Sequence, residues 1–191
     1  MISFIDCKRR FASIAPPVRL AFLASAAERV MPIYEKFWLG DHHPELPRTI
    51  ELAWMSVEGA ALDAAEVKRS QDVANELSDI YAEDSIATLA GVANIGSYIM
   101  DVLAQAEEPA MSLSGPRAHS SLLTVSDAVD GILSREDITA PSALAEEEAW
   151  LEAAIARAET WTKPLSRDLF HDLGSFPPRW WAVYSTVTRP Y

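Results

Sequence analysis

Apolar residues recur every three or four positions over most of the chain, which is the period of an α-helix with one buried face. The clearest stretch follows Pro16 and Pro17, which suit a first helical turn because that turn needs no amide donors. We expect a core helix from about residue 18, bent at Pro32 but not ended there. Its inward face carries Leu23, Ala27, Val30, Tyr34 and Phe37, with Trp38 beside them.

Three more helices follow from the same pattern. One begins near Pro47, carries Trp54 on its inward face and ends at Gly59. Another, over residues 63–77, has a thin apolar stripe and is expected on the outside of the molecule. A third follows Asp84 and has almost no polar side, so it belongs in the centre, and its two glycines are interpreted as points where a neighbouring helix approaches closely. Those glycines are Gly91 and Gly96.

The second half of the chain alternates between strong and weak signals. Residues 109–116, which contain serine, glycine and proline, predict a loop, and a helix follows over residues 120–133. Ser142 precedes a long amphipathic helix over residues 143–161 that includes Trp150. Beyond Pro164 the chain is rich in proline and aromatic residues, and we expect an irregular tail.

Together these elements predict an all-α, single-domain helical bundle of about six helices. We divide the chain into an N-terminal arm (1–16), a helical body (17–162) and an irregular C-terminal tail (163–191). A chain of 191 residues that is 49% hydrophobic has enough apolar surface for one core. Trp54 and Trp150 are expected in that core.

The charge balance limits the kind of partner. Lys and Arg number 16 against 28 Asp and Glu, which leaves a formal charge of −12. A field of this sign repels phosphate backbones and attracts cationic partners, so direct binding to nucleic acid is not expected.

Cysteine usage and hydropathy indicate the compartment. The only cysteine, Cys7, cannot form an intramolecular disulfide, which is typical of a reducing compartment. The first ten residues lack the apolar stretch of a secretory signal, and the longest uncharged run, residues 85–100, is short for a membrane span. We therefore expect a cytoplasmic protein with no membrane partner.

Residues 18–59 carry a pattern that resembles the YjaG-like family of helical proteins of unknown function. An apolar helix near Tyr81 and the acidic segment EEEAWLEAAIARAE follow in the same order as in that family. The resemblance implies an all-α fold, with no established reaction or cofactor to transfer. Met55 stands where the family pattern leads us to expect a glutamate, so no acidic site is carried over there. The shared features are Glu28-Arg29, Pro32, Tyr34, Phe37, Gly40-Asp41 and Trp54.

A looser similarity links the chain to all-α immunity proteins of bacterial polymorphic toxin systems, which are small helical domains that neutralise a toxin. This similarity implies a binding protein and identifies no site.

Two groups of residues have the composition of a metal site. Asp41, His42 and His43, with Glu45 close by, combine carboxylate and imidazole ligands suited to zinc or iron. Adjacent loop histidines rarely point at one ion, so a turn or capping role for Asp41 is favoured.

The second group consists of helix carboxylates with a spacing of seven residues, as expected for two facing rows. They could form a di-metal site, but such sites also use histidines on the same helices. The alternative is an ion pair between Glu28 and an arginine such as Arg29 or Arg48. The two rows are Glu28 with Glu35, and Glu51 with Glu58.

Other catalytic constellations are missing from the sequence. There is no G-x-S-x-G motif, and Cys7 lies in the N-terminal arm. His119 and His171 do not follow a nucleophile and an acid in the chain order of a catalytic triad. The seven glycines form neither a phosphate-binding loop nor a dinucleotide fingerprint. We therefore expect no enzyme and no cofactor.

Acidic residues are concentrated between residues 58 and 84, where eight carboxylates stand against only Lys68 and Arg69. A second acidic patch is expected at residues 146–148 and 152. Such runs usually form a solvated face. Our hypothesis is an immunity protein that neutralises a cognate bacterial toxin, such as a basic nuclease. The alternatives are a metal-binding helical enzyme or sensor, and an oligomeric scaffold. The expected contacts with the toxin are Asp63, Glu66, Asp72, Glu76 and Asp79.

Overall fold

The computed structural model describes residues 3–38, 44–84, 86–105, 108–162 and 164–189. Within these ranges the chain is a single all-α domain with nine helices and no strand. The helices are α1 (Phe4–Ser13), α2 (Pro16–Phe37), α3 (Glu45–Val57), α4 (Ala64–Glu83), α5 (Ala87–Gln105), α6 (Glu108–Arg135), α7 (Ala143–Thr160), a 3₁₀ helix (Arg167–Leu173) and α8 (Arg179–Tyr184).

Helices α2 and α5 form the centre of the molecule. Sixteen of the 22 residues of α2 are buried, and the whole predicted inward face from Leu23 to Phe37 is among them. Helix α5 packs against α2, α3, α4 and α6. Both predicted positions are confirmed, and α2 continues through Pro32 as expected. Trp38 differs, since it is 38% exposed just after the end of α2.

The two glycines of α5 mark close helix contacts. A Cβ at Gly91 would overlap the side chain of Val125 on α6, and a Cβ at Gly96 would lie 2.6 Å from Leu46 Cδ1 on α3. Their interpretation as packing residues is therefore confirmed, because any side chain would push a neighbouring helix away.

The expectation of about six helices is wrong, and one cause lies in residues 109–116. This segment is the start of α6 and not a loop, with Pro116 inside the helix. A Cβ at Gly115 would overlap the ring of Phe11, so α1 lies directly on this turn. Packing of α1 against α6 therefore overrides the local preference for a loop.

The N-terminal arm is a second correction. Residues 4–13 form α1, whose Cys7 and Phe11 are fully buried against the body. Arg19 of α2 donates from Nε to the carbonyl of Ile14 at 2.5 Å, which satisfies a carbonyl group just after α1 ends. Arg10 binds Glu159 of α7 through two hydrogen bonds, and this pairing lowers the pKa of Glu159.

The C-terminal tail also contains regular structure. The 3₁₀ helix and α8 replace the predicted irregular course, and Phe170, Trp180 and Tyr184 are completely buried. Burial of these three rings supplies the apolar contact that orders the segment, because each aromatic side chain removes a large apolar area from water. The tail is thus part of the core.

The remaining boundaries agree closely with the sequence. Helix α3 begins two residues before Pro47 and ends before Gly59, which adopts a φ of 81°. Asp63 caps α4, which extends beyond residue 77 to Glu83. Ser142 caps α7 as predicted. Trp54 and Trp150 are both 2% exposed, so their predicted core positions are confirmed.

Helix α5 is apolar enough to match a membrane span by length and composition. Its window from Ala87 to Ala104 has a mean hydropathy of 1.3, and 67% of that window is buried within the protein. Core helices of soluble proteins have the same composition, so the window does not distinguish the two environments.

Replacing Gly91 by alanine is expected to destabilise the protein. The new methyl group meets Val125, whose branched side chain has little rotamer freedom, and overpacking of this kind costs about 1–3 kcal/mol. Improved helix propensity returns about 1 kcal/mol, which leaves a net loss of up to about 2 kcal/mol by urea denaturation. Gly131→Ala is the matched control on α6, because a Cβ there contacts nothing within 4 Å, and it should stabilise. A stabilised Gly91→Ala variant would contradict the close contact.

Cys7 is expected to be unreactive in the folded protein. Burial raises the pKa of its thiol from 9.0 to about 12, so almost no thiolate forms at neutral pH. Dithionitrobenzoate should therefore react with Cys7 only after the protein is unfolded in urea. A Ser13→Cys variant places a second thiol at the exposed end of α1 and should react at once. Immediate reaction of the unmodified protein would show that α1 is not docked.

Candidate functional site

The structure separates the five predicted contact acids into two groups. Asp72, Glu76 and Asp79 are exposed on α4. Glu83 continues their spacing of four, three and four residues, so all four share one side of the helix. We call these four residues the acidic face.

The other two predicted acids have local structural roles. Asp63 accepts a hydrogen bond from the amide of Ala65 as the cap of α4. Glu66 binds Arg48 of α3 at 2.7 Å, and this hydrogen bond lowers the pKa of Glu66. Their part in partner binding remains a prediction, as does that of the acidic face.

The acidic face is electrostatically unfavourable for its own helix. Asp72 and Glu76, and likewise Asp79 and Glu83, are like charges one turn apart. The last turn of α4 carries no basic residue, although the negative end of a helix favours cations. Lys68 pairs with Asp72 and offsets part of this repulsion. Such a surface is costly for α4, which favours a role outside folding.

The predicted second acidic patch is wrong in its central member. Glu147 is completely buried and binds Arg29, which is also completely buried. The Arg29 Nε lies 2.5 Å from one carboxylate oxygen and Nη2 lies 2.7 Å from the other. Trp180 donates its indole N–H to the same carboxylate at 3.0 Å. A carboxylate expected in solvent is thus the centre of an internal ion pair.

Aromatic rings and a backbone carbonyl complete the surroundings of Arg29. Its guanidinium carbon lies 4.8 Å from the centre of the Trp150 ring and 5.2 Å from that of Phe176. Arg29 Nη1 also donates to the carbonyl of Ser175 at 3.1 Å. The pair therefore joins α2, α7 and the C-terminal segment at one point.

The start of α7 sets the position of Glu147. Ser142 accepts from the amide of Ala145, and Asp130 of α6 accepts from the amides of Ala143 and Leu144. A carboxylate is favourable at this positive end of a helix. These caps fix where α7 begins, and so they place Glu147 one turn and Trp150 two turns further along.

A cleft of about 460 Å³ opens beside the ion pair. Arg29 and Trp150 form part of its wall, and the chain from Leu173 to Ser175 forms another part. Glu146 and Arg179 are its remaining charged groups. We call it the Arg29 cleft.

Two of the four helix carboxylates considered as a di-metal site, Glu28 and Glu51, pair with an arginine instead. Arg167 lies 2.6 Å from Glu28 and 3.2 Å from Glu51. Trp54 and His171 also contact Glu28, at 3.1 and 3.3 Å. Glu28 does pair with an arginine, but its partner is Arg167 and not Arg29 or Arg48. Glu35 lines a separate cleft together with Glu28, Glu51 and Arg167, whereas Glu58 follows the end of α3.

Three members of the predicted histidine site, Asp41, His42 and His43, lie outside the described residues. Glu45 begins α3 and lies 3.9 Å from Arg69. Among the described residues, no group of three His, Cys, Asp or Glu side chains is arranged to hold a metal ion. His119 is buried on α6, and burial lowers the pKa of its imidazole.

The sequence did contain a signal for the buried pair, but the run of three glutamates at residues 146–148 obscured it. Glu147 precedes Trp150, Leu151 and Ala154 by three, four and seven residues, which is the spacing of the inward stripe of α7. Arg29 likewise stands between buried residues on a helix with few exposed positions. Opposite charges on two inward stripes indicate an internal pair, although not which helices meet.

Comparison with known proteins adds no relative: the chain matches no protein-family model, no curated protein and no solved structure.

Replacing Glu147 by glutamine is expected to destabilise the protein by about 3–5 kcal/mol, because it leaves the buried charge of Arg29 without its counter-ion. Urea denaturation measures the loss. Glu148→Gln is the matched control, since Glu148 is only partly buried, and it should change stability by less than about 0.5 kcal/mol. The double variant Arg29→Met, Glu147→Leu removes both charges and should recover much of the loss. Equal effects of Glu147→Gln and Glu148→Gln would show that the pair contributes nothing.

Proposed function

We propose that the protein is a cytoplasmic immunity protein that neutralises a cognate bacterial toxin, such as a basic nuclease, through the acidic face. The observation that carries this proposal is the outward placement of Asp72, Glu76 and Asp79 on a helix of the folded body. These carboxylates face solvent and do not converge on an internal cleft.

The cost of the acidic face to α4 supports a binding role. Like charges one turn apart and acids at the negative helix end both oppose helix formation. A basic partner would remove that repulsion on binding, so the interaction gains energy that the free protein lacks. A surface that served only to keep the protein soluble could do so with alternating positive and negative charges, without this repulsion.

The net charge supports the same partner class. A charge of −12 steers a basic protein toward this surface and raises the association rate. Ile80 lies beside the acidic face and is 38% exposed, which offers an apolar contact among the carboxylates.

Charge reversal on the acidic face is expected to slow toxin binding. The triple variant Asp72→Lys, Glu76→Lys, Asp79→Lys should lower the association rate about 10-fold or more at low salt, because steering depends on the sign of the local field. Stopped-flow fluorescence measures the rate with a basic toxin nuclease identified from the gene neighbourhood, and circular dichroism checks that the helices remain.

The matched control carries the same change in net charge at three exposed acids elsewhere: Asp127→Lys, Glu136→Lys and Glu152→Lys. Its association rate should fall much less. Equal slowing in both variants would mean that only net charge matters, and an unchanged rate in the α4 variant would reject the acidic face. A gene neighbourhood without a toxin gene would count against the toxin itself.

A further inference from the structure

We propose that a surface groove at the start of α4 binds an apolar side chain that is flanked by basic residues. The toxin of the proposed function would supply that side chain, so the inference rests on that function. The groove has a volume of about 340 Å³ and lies between the start of α4 and the end of α5. We call it the Leu103 groove. Its lining residues among those described are Leu62, Ala64, Val67, Lys68, Leu103 and Ala104.

The walls of the Leu103 groove are accessible from solvent. Leu62 and Leu103 are half-buried, and both pack against the hydrophobic core. Ala64 and Ala104 are exposed, and their short side chains leave space beside the two leucines. An incoming side chain therefore meets accessible apolar surface.

The chain that leads into α4 is unusually apolar for a surface segment. Residues 60–65 read Ala-Ala-Leu-Asp-Ala-Ala, and all six are exposed or half-buried. Connections between helices are usually polar, because their residues face water. Apolar residues gathered at the surface favour contact with another molecule.

A row of polar contacts joins α4 to α5 and ends at the groove. Three side-chain hydrogen bonds, one for each turn of α4, connect the helices: Ser78 with Asn94, Asn75 with Ser97, and Gln71 with Asp101. At the next turn toward the start of α4, apolar Val67 and Ala104 take these places and line the groove. The seam between the helices thus changes from polar to apolar where the surface opens.

Carboxylates around the Leu103 groove favour a cationic partner. Lys68 is the only charged residue in the described part of the groove wall, and it pairs with Asp72. Asp63 is exposed in the connection that lines the groove, and Asp101 lies two residues before Leu103. Three carboxylates thus stand against one ammonium group, which favours basic over acidic residues beside the bound side chain.

The Leu103 groove continues into the acidic face. Lys68 lines the groove and binds Asp72, which is the first residue of that face. Helix α4 has 20 residues and is therefore about 30 Å long, so one partner can cover the groove at its start and the carboxylates beyond. The acidic face would speed the approach of this partner, and the apolar contact would slow its release.

A second copy of this chain fits the groove less well than a basic toxin. The outer side of α1 does present exposed Phe4 and Ile5 near Lys8 and Arg9. Each copy has a formal charge of −12, however, and two bodies of this charge repel each other. A basic partner is attracted by the same field, which favours the toxin as the occupant.

The first test uses short peptides and requires no toxin. The main probe has a central phenylalanine with one glycine and two lysines on each side. At low salt it should shift the methyl nuclear magnetic resonance signals of Leu62, Val67 and Leu103 saturably. Serine in place of phenylalanine, or glutamates in place of the lysines, should each weaken binding about 10-fold or more. Equal binding of the three peptides, or no methyl shift with the main probe, would overturn the proposal.

Ala104→Phe is the decisive variant, because its ring fills the groove from the side of α5. It should weaken binding of the main probe about 10-fold or more. Ala64→Phe fills the groove from the side of α4 and should act alike, so a folding defect in one variant leaves the other for the test. Ala156→Phe is the matched control at an exposed alanine of α7, and it should bind as the unmodified protein does. Equal binding by the groove variants and the control would overturn the proposal.

The second test uses the complex with a basic toxin nuclease identified from the gene neighbourhood. Ala104→Phe should raise the dissociation rate about 10-fold and change the association rate by less than about two-fold. An unchanged dissociation rate, together with slower association when the acidic face carries lysines, would overturn the groove as a toxin contact and leave the proposed function standing. A nuclease that does not bind, together with peptides that do, would reject the proposed function and support the groove as a site for another basic protein.

Sedimentation velocity distinguishes a toxin site from a contact between copies. The unmodified protein should remain a monomer. A dimer that dissociates in Ala104→Phe but persists in Ala156→Phe would assign the Leu103 groove to a second copy and overturn the proposal.

Discussion

The ion pair between Arg29 and Glu147 is the constraint around which the C-terminal half of the molecule is arranged. Both side chains are fully buried, and a buried charge is tolerated only when it is paired and hydrogen-bonded. The pair meets this condition because Trp180 donates a hydrogen bond to Glu147 and the Ser175 carbonyl accepts one from Arg29. Its hydrogen-bonding needs therefore bring the C-terminal segment onto α2 and α7.

The Arg29 cleft is a consequence of the same arrangement. Glu147 and the Ser175 carbonyl accept hydrogen bonds from the guanidinium of Arg29, and Arg29, Trp150 and Gly174 line the cleft. The acidic face has a different physical origin, because its carboxylates are exposed and oppose the helix that carries them.

Helix positions were predictable where local signals agreed with burial. The cap Ser142 and the positive-φ Gly59 marked helix ends correctly, and the apolar stripe of α2 marked a core helix. Prediction failed where long-range contacts decide. Local sequence around Pro116 favours a loop, yet Phe11 packs on Gly115 and α6 runs through it. The order of the C-terminal segment likewise depends on rings that become buried only against distant helices.

The linear pattern of residues contains the all-α class, the central place of α2 and α5, and the acidity of α4, because periodicity and charge are local properties. It does not determine which charged side chains pair with each other. Glu147 and Glu148 are neighbours of the same type, yet one is buried and the other is partly exposed. Only the packing of α7 against α2 distinguishes them, since burial and pairing depend on residues 118 positions apart meeting in space.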